Sequence, residues 1–165
     1  MNKINSWYTL PFKKYTEIVH YKQTDDLTNI IYLVSILKDK EIGELENMKK
    51  KDFDVLASDL TFIYEQPNLK EANIKWNIKN LENITMENFI DYENLKGDEI
   101  NMASILSFMS EKTEDEINEM ATTEVLNGFF LLQQNLKKYM KSLMYSLLKK
   151  SVKMKLKKLV RWRKK

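Results

Sequence analysis

Only three Gly and two Pro punctuate this chain of 165 residues, and that scarcity constrains its fold more than any other feature. Sandwiches and barrels need turn residues every few positions, and long flexible linkers need them in clusters. Neither is available here, so helices joined by short polar connections are the expected architecture. The 43% hydrophobic content is enough to bury a core, and the length suits one ordinary domain or two very small ones. There is no Cys, hence no disulfide or thiolate chemistry, which fits a reducing compartment. The first fifteen residues lack a continuous apolar segment of the kind a secretory signal needs. The most apolar stretch, Val125 to Leu148, is interrupted by Gln133, Gln134, Lys137, Lys138 and Lys141, so no membrane span is expected.

The body reads as duplicated. Trp7, Leu10, Phe12, Tyr15 and Ile18 coincide with Leu81, Ile84, Met86, Phe89 and Tyr92 at an offset of 74. Pro11 and Thr85 stand where a helix begins in each copy. Pro suits a first turn because its missing N–H is not needed there, and the Thr hydroxyl can cap. The match resumes with Asp25-Asp26-Leu27 against Asp98-Glu99-Ile100, each acid pair opening an apolar helical run. A third correspondence, at an offset of 72, sets Glu44-Leu45 against Glu116-Ile117 and continues with Phe53/Val125, Ala57/Phe129 and Leu60/Leu132. The expected fold is therefore mainly α, with two tandem similar helical units, at most a small β-hairpin, and a long basic C-terminal helix. The units are residues 1–67 and 68–136, packed together because each alone would be marginal, followed by an arm over 137–165. Gln66, before Pro67, should close a helix, and Ile74-Lys75-Trp76-Asn77-Ile78 alternates as a strand would.

The arm is where charge concentrates. Residues 137–165 hold thirteen Lys or Arg and no acid, against 27 basic and 24 acidic residues in the whole chain. Residues 1–136 thus hold 27 − 13 = 14 basic residues against 24 acids, and a body of about −10 ends in an arm of about +13. Phe129, Leu132, Leu136, Tyr139, Met140, Leu143 and Leu147 trace an amphipathic stripe. A helix from Val125 to Val160 would be about 54 Å long, more than two small helical units can cover. Its distal part should project, bend, or lie on something else. The helix dipole accounts for a few lysines at a C-terminus, not for thirteen. Phosphates of nucleic acid, an anionic membrane surface, and an acidic protein surface, including the body of a neighbouring copy, all suit the remainder. The residues expected to bind are Lys149, Lys150, Lys153, Lys155, Lys157, Lys158, Arg161, Trp162, Arg163, Lys164 and Lys165. With Trp162 the one aromatic among the distal charges, base stacking is not indicated.

Nothing in the sequence assembles a reaction centre. His20 is the single histidine and reads as a surface or half-buried residue. No phosphate loop, dinucleotide fingerprint, zinc-protease or nucleophile-elbow pattern occurs. Asp25-Asp26, Asp98-Glu99 and Glu114-Asp115-Glu116 precede apolar runs, where acids favour the positive helix N-terminus over a cation. Trp7 and Trp76 read as packing residues, and the nine Met as core filler. No catalytic residue, cofactor or metal is expected.

Ser6-Trp7-Tyr8-Thr9-Leu10-Pro11-Phe12-Lys13-Lys14-Tyr15, Asn83-Ile84-Thr85-Met86-Glu87-Asn88-Phe89-Ile90-Asp91-Tyr92 and the Leu60-Thr61-Phe62-Ile63 stretch carry a resemblance. This chain resembles small virion and morphogenesis proteins of tailed bacteriophages, the tail-assembly chaperone-like and portal- or tail-associated kinds, including packaged cargo proteins of crAss-like phages. That resemblance implies a non-enzymatic protein of the virion or host cytoplasm. It also implies binding to portal, tail or capsid proteins, present as a homo-oligomer or in several copies. The basic arm departs from the family pattern and points to contact with the DNA genome or an acidic virion surface. A sequence-nonspecific nucleic-acid-binding protein is the alternative, and a membrane-surface adaptor a lesser one.

Overall fold

A computed structural model describes residues 4–19, 21, 26–69 and 75–162, with side chains as far as Lys149 except Leu147. The chain is mainly helical: α1 Phe12–Ile18, α2 Leu27–Lys38, α3 Ile42–Glu46, α4 Lys50–Ser58, α5 Met86–Leu95, α6 Met102–Met109, α7 Glu114–Glu119 and α8 Thr122–Trp162. Short 3-10 turns at Thr61–Tyr64 and Glu99–Asn101 follow α4 and lead into α6.

Local chemistry sets several of the helix starts. Pro11, extended at φ −60°, precedes α1. The side chains of Asp26 and Thr85 accept the Thr28 and Asn88 backbone N–H groups at the heads of α2 and α5. Asp98 accepts from the Ile100 N–H. Thr113 and Glu116 form a reciprocal capping box at α7, with Glu114 and Asp115 in its first turn. These acids therefore serve as helix starts, as their positions suggested; Asp25 lies outside the described residues. Helix α2 ends differently. Asp39 adopts a left-handed conformation (φ 51°) that usually falls to Gly, held there by Lys14 Nζ at 2.7 Å while Lys40 N–H returns to the Ser35 carbonyl.

One continuous core joins all this. Leu10, Phe12 and Ile18 from the α1 region meet Leu33 and Val34 of α2, Ile105, Leu106 and Met109 of α6, Ile117 of α7, and Val125 and Leu132 of α8. Trp7 is buried edge-on against Tyr15 and Phe62 and donates its indole N–H to the Glu65 carbonyl at 2.9 Å. The two sequence halves are stitched directly: Phe12 N–H donates to the Met120 carbonyl and Thr122 N–H to the Leu10 carbonyl, at 2.9 and 2.8 Å, around a single Pro11–Ala121 bridge.

Three expectations change. Among the described residues there is no strand, and residues 75–78 form an irregular segment without a pairing partner; Ile74 is outside the described residues. The reason is that the segment is used on helices: Trp76 packs on α8, and Lys79 N–H donates to the Met109 carbonyl at the end of α6. The turn ending at Tyr64, not a helix reaching Gln66, closes the first half, because α4 already stops at Ser58. The methionines also divide. Met102 and Met109 are core, but Met86 and Met144 are 73% and 61% exposed.

Candidate partner-binding surface

Helix α8 is fixed to the body at its start. Thr122 and Thr123 are fully buried, and Thr122 adds a hydroxyl donation to the Leu10 carbonyl at 2.9 Å. One turn on, Trp76 donates its indole N–H to the Glu124 carbonyl at 2.8 Å and lies flat across Gly128. A Cβ at position 128 would stand 2.2 Å from the indole ring, so only Gly admits this approach. Asn127 reaches back to the Leu69 carbonyl at 3.2 Å. Val125, Phe129, Leu132 and Leu136 then turn into the core.

Among the described side chains Leu136 is the last buried one, and the α8 backbone continues for 162 − 136 = 26 residues beyond it, about 39 Å at 1.5 Å per residue. On that extension Lys137, Lys138, Lys141 and Lys149 are exposed. Of the residues expected to bind, Lys149 is thus placed on the open surface. Lys150, Lys153, Lys155, Lys157, Lys158, Arg161 and Trp162 lie on the α8 backbone with side chains outside the described residues, and Arg163, Lys164 and Lys165 lie outside them altogether. His20 is likewise outside.

What the sequence left open is how much of the apolar stripe on the same extension the body leaves uncovered. Met140, Leu143, Met144, Tyr145 and Leu148 are all exposed, by 40 to 67%. Leu81, Ile84, Met86 and Phe89, leading into and along α5, join Tyr139, Met140 and Leu143 to line an open apolar groove where α8 leaves the body. Glu82 stands in its rim, and Ile90 is exposed one turn from Met86. The signal was present in the spacing: an apolar stripe that runs past the length of the body has nothing of the body left to face.

Titratable groups elsewhere serve the fold. Tyr15 donates to the Glu99 carboxylate, and burial first, then that carboxylate, pushes its phenol well above the usual range. Burial also raises Tyr92. The Thr113 backbone N–H and then its hydroxyl hold Glu116 below the usual carboxylate range. Among the described residues no three His, Asp or Glu side chains gather as metal ligands, and no helix is long and apolar enough to cross a membrane. No family model, curated protein or solved structure matches the chain.

Proposed function

We propose that this chain is a non-enzymatic bacteriophage assembly or virion protein, found in the particle or the host cytoplasm, whose helical body binds other proteins of the particle. Its basic arm meets DNA or an acidic surface of the assembly. The observation that carries this is the continuation of α8 for 26 residues past Leu136, the last buried side chain among those described. A helix of that length, with exposed lysines and no acid after Glu124, is more than the body needs for its own core. The phage setting is supported by the resemblance carried by residues 6–15 and 83–92. The tandem-unit architecture is supported by helix starts at matched offsets: Phe12 and Met86 differ by 74, Ile42 and Glu114 by 72, Lys50 and Thr122 by 72.

The decisive experiment compares the full chain with one ending at Leu136 for binding to duplex DNA across a salt series. Nucleic acid as the arm's partner predicts steeply salt-dependent affinity, with a log–log slope of about −0.9 per phosphate contacted, lost on truncation. Equal binding by both chains would remove DNA as the arm's partner. Mass spectrometry of purified phage particles tests the setting, and absence from the particles and from assembly intermediates would end the phage proposal. A free nucleic-acid-binding protein is the second reading, favoured by exposed Lys137, Lys138, Lys141 and Lys149 on one helix. Flotation with anionic vesicles, unaffected by truncation, would dispose of a membrane-surface role for the arm.

A further inference from the structure

The apolar row on α8 changes sides where the helix leaves the body. Val125, Phe129, Leu132 and Leu136 form the row turned into the core, and by position Leu143 and Leu147 prolong it. Tyr145, Leu148, Val152, Leu156 and Leu159 occupy a second row of positions, three or four residues apart. At about 100° per residue, this second row is centred about 170° around the helix from the first. The two of its members with described side chains match that placement: Tyr145 and Leu148 are 67% and 60% exposed, against 40% for Leu143 on the first row. A row on the far side of the helix has nothing of the body to face.

Spacing and charge together specify what covers it. In heptad terms Tyr145, Val152 and Leu159 stand at a, and Leu148, Lys155 and Trp162 at d, with Lys149 and Lys158 at the flanking e and g positions. That is the seam of a helix pair. From Tyr145 to Trp162 the chain places seven Lys or Arg and no acid, so a second copy laid on this seam meets only like charge. Lys155, in the seam itself, calls for a carboxylate opposite it. The acyl region beneath a lipid surface has none to offer, and a neighbouring helix does. Nucleic-acid phosphates answer the lysines and leave the apolar row wet. We propose that this row takes one helix of a different protein, apolar at its own a and d positions and acidic at the positions that flank them. The proposal deepens the function given above, choosing an acidic protein surface over DNA for residues 145–162, and rests on its assignment of the outer α8 as a binding element.

The test titrates the full-length chain into a fluorescent synthetic peptide of about three heptads, with Leu at a and d and Glu at e and g. One central d Leu is replaced by Glu to meet Lys155, and polyglutamate of equal charge is the comparison ligand. Leu148→Gln removes an apolar member of the row. Ser146→Gln, off the row, is its control. Both positions are exposed, so neither substitution disturbs the core. Expected is one-to-one binding of the acidic peptide, at least about tenfold tighter than polyglutamate, weakened at least about tenfold by Leu148→Gln and unaffected by Ser146→Gln. Equal affinity for peptide and polyglutamate overturns the proposal, because charge alone then explains binding. Indifference to Leu148→Gln overturns it too, as does displacement of the peptide by anionic vesicles. Self-association of the chain that Leu148→Gln abolishes, read by sedimentation equilibrium, assigns the row to a second copy and likewise overturns it. DNA binding by the same samples is scored separately, so a chain that binds DNA through its arm and ignores the peptide ends this inference and leaves the proposed function in place.

Discussion

From Thr122 to Leu136, α8 turns Val125, Phe129, Leu132 and Leu136 into the body, and all four are buried; from Lys137 to Lys149 the same helix leaves Met140, Leu143, Met144, Tyr145 and Leu148 at least 40% exposed. The apolar spacing does not change at Leu136. What changes is the supply of neighbours: α6 and α1 accompany the inner half, and past Tyr139 the described residues beside the helix are those from Leu81 to Phe89 that line the groove. Periodicity reports that a helix has an apolar face. It does not report which molecule covers that face.

The largest way to break this comparison is to weaken the inner half. Leu132 is fully buried, so Leu132→Ala removes core contacts and leaves a cavity; unfolding by denaturant should show a loss of about 2–5 kcal/mol. Next is Gly128→Ala. In an open helix that change would gain about 1 kcal/mol. Here the new Cβ meets the Trp76 indole, and overpacking outweighs propensity, for a net loss of about 1–3 kcal/mol. A gain in stability would mean that Trp76 does not hold α8 to the body.

A smaller effect concerns the junction that aims α8. Thr113 lowers the Glu116 pKa, so the capping box adds stability in full above the ordinary carboxylate value of about 4.3. That contribution is lost as pH falls through the depressed folded value. Glu116→Gln should flatten that part of the acid limb in a melting-temperature profile and leave neutral and alkaline behaviour alone. The smallest effect belongs to the outer half. Met144→Ala, in dilute solution at high salt, should change unfolding free energy by no more than about 0.5 kcal/mol, because its side chain meets solvent.

Much of the body was legible in the sequence because its signals are local. Thr85, Asp26, Asp98 and the Glu114–Glu116 run marked helix starts by chemistry that acts within three residues. Leu10, Phe12, Tyr15, Leu132 and Leu136 marked the core by spacing. The failures were long-range. Residues 75–78 alternate as a strand would, but no second strand exists among the described residues to pair with, and Trp76 finds Gly128 about fifty positions later instead. Met86 and Met144 looked like core because the pattern of apolar residues is the same for a face the body covers and a face it leaves exposed.

The central claim is that one helix serves two ends, the inner half holding the fold and the outer half left for a partner. Its most direct test is the melting temperature of a chain ending at Lys141, which keeps half-buried Tyr139 and drops residues 142–165. In dilute solution at high salt, where association is suppressed, that chain should melt within about 2 °C of the full-length protein. A fall of about 8 °C or more would show the outer half to be part of the fold and would contradict the account.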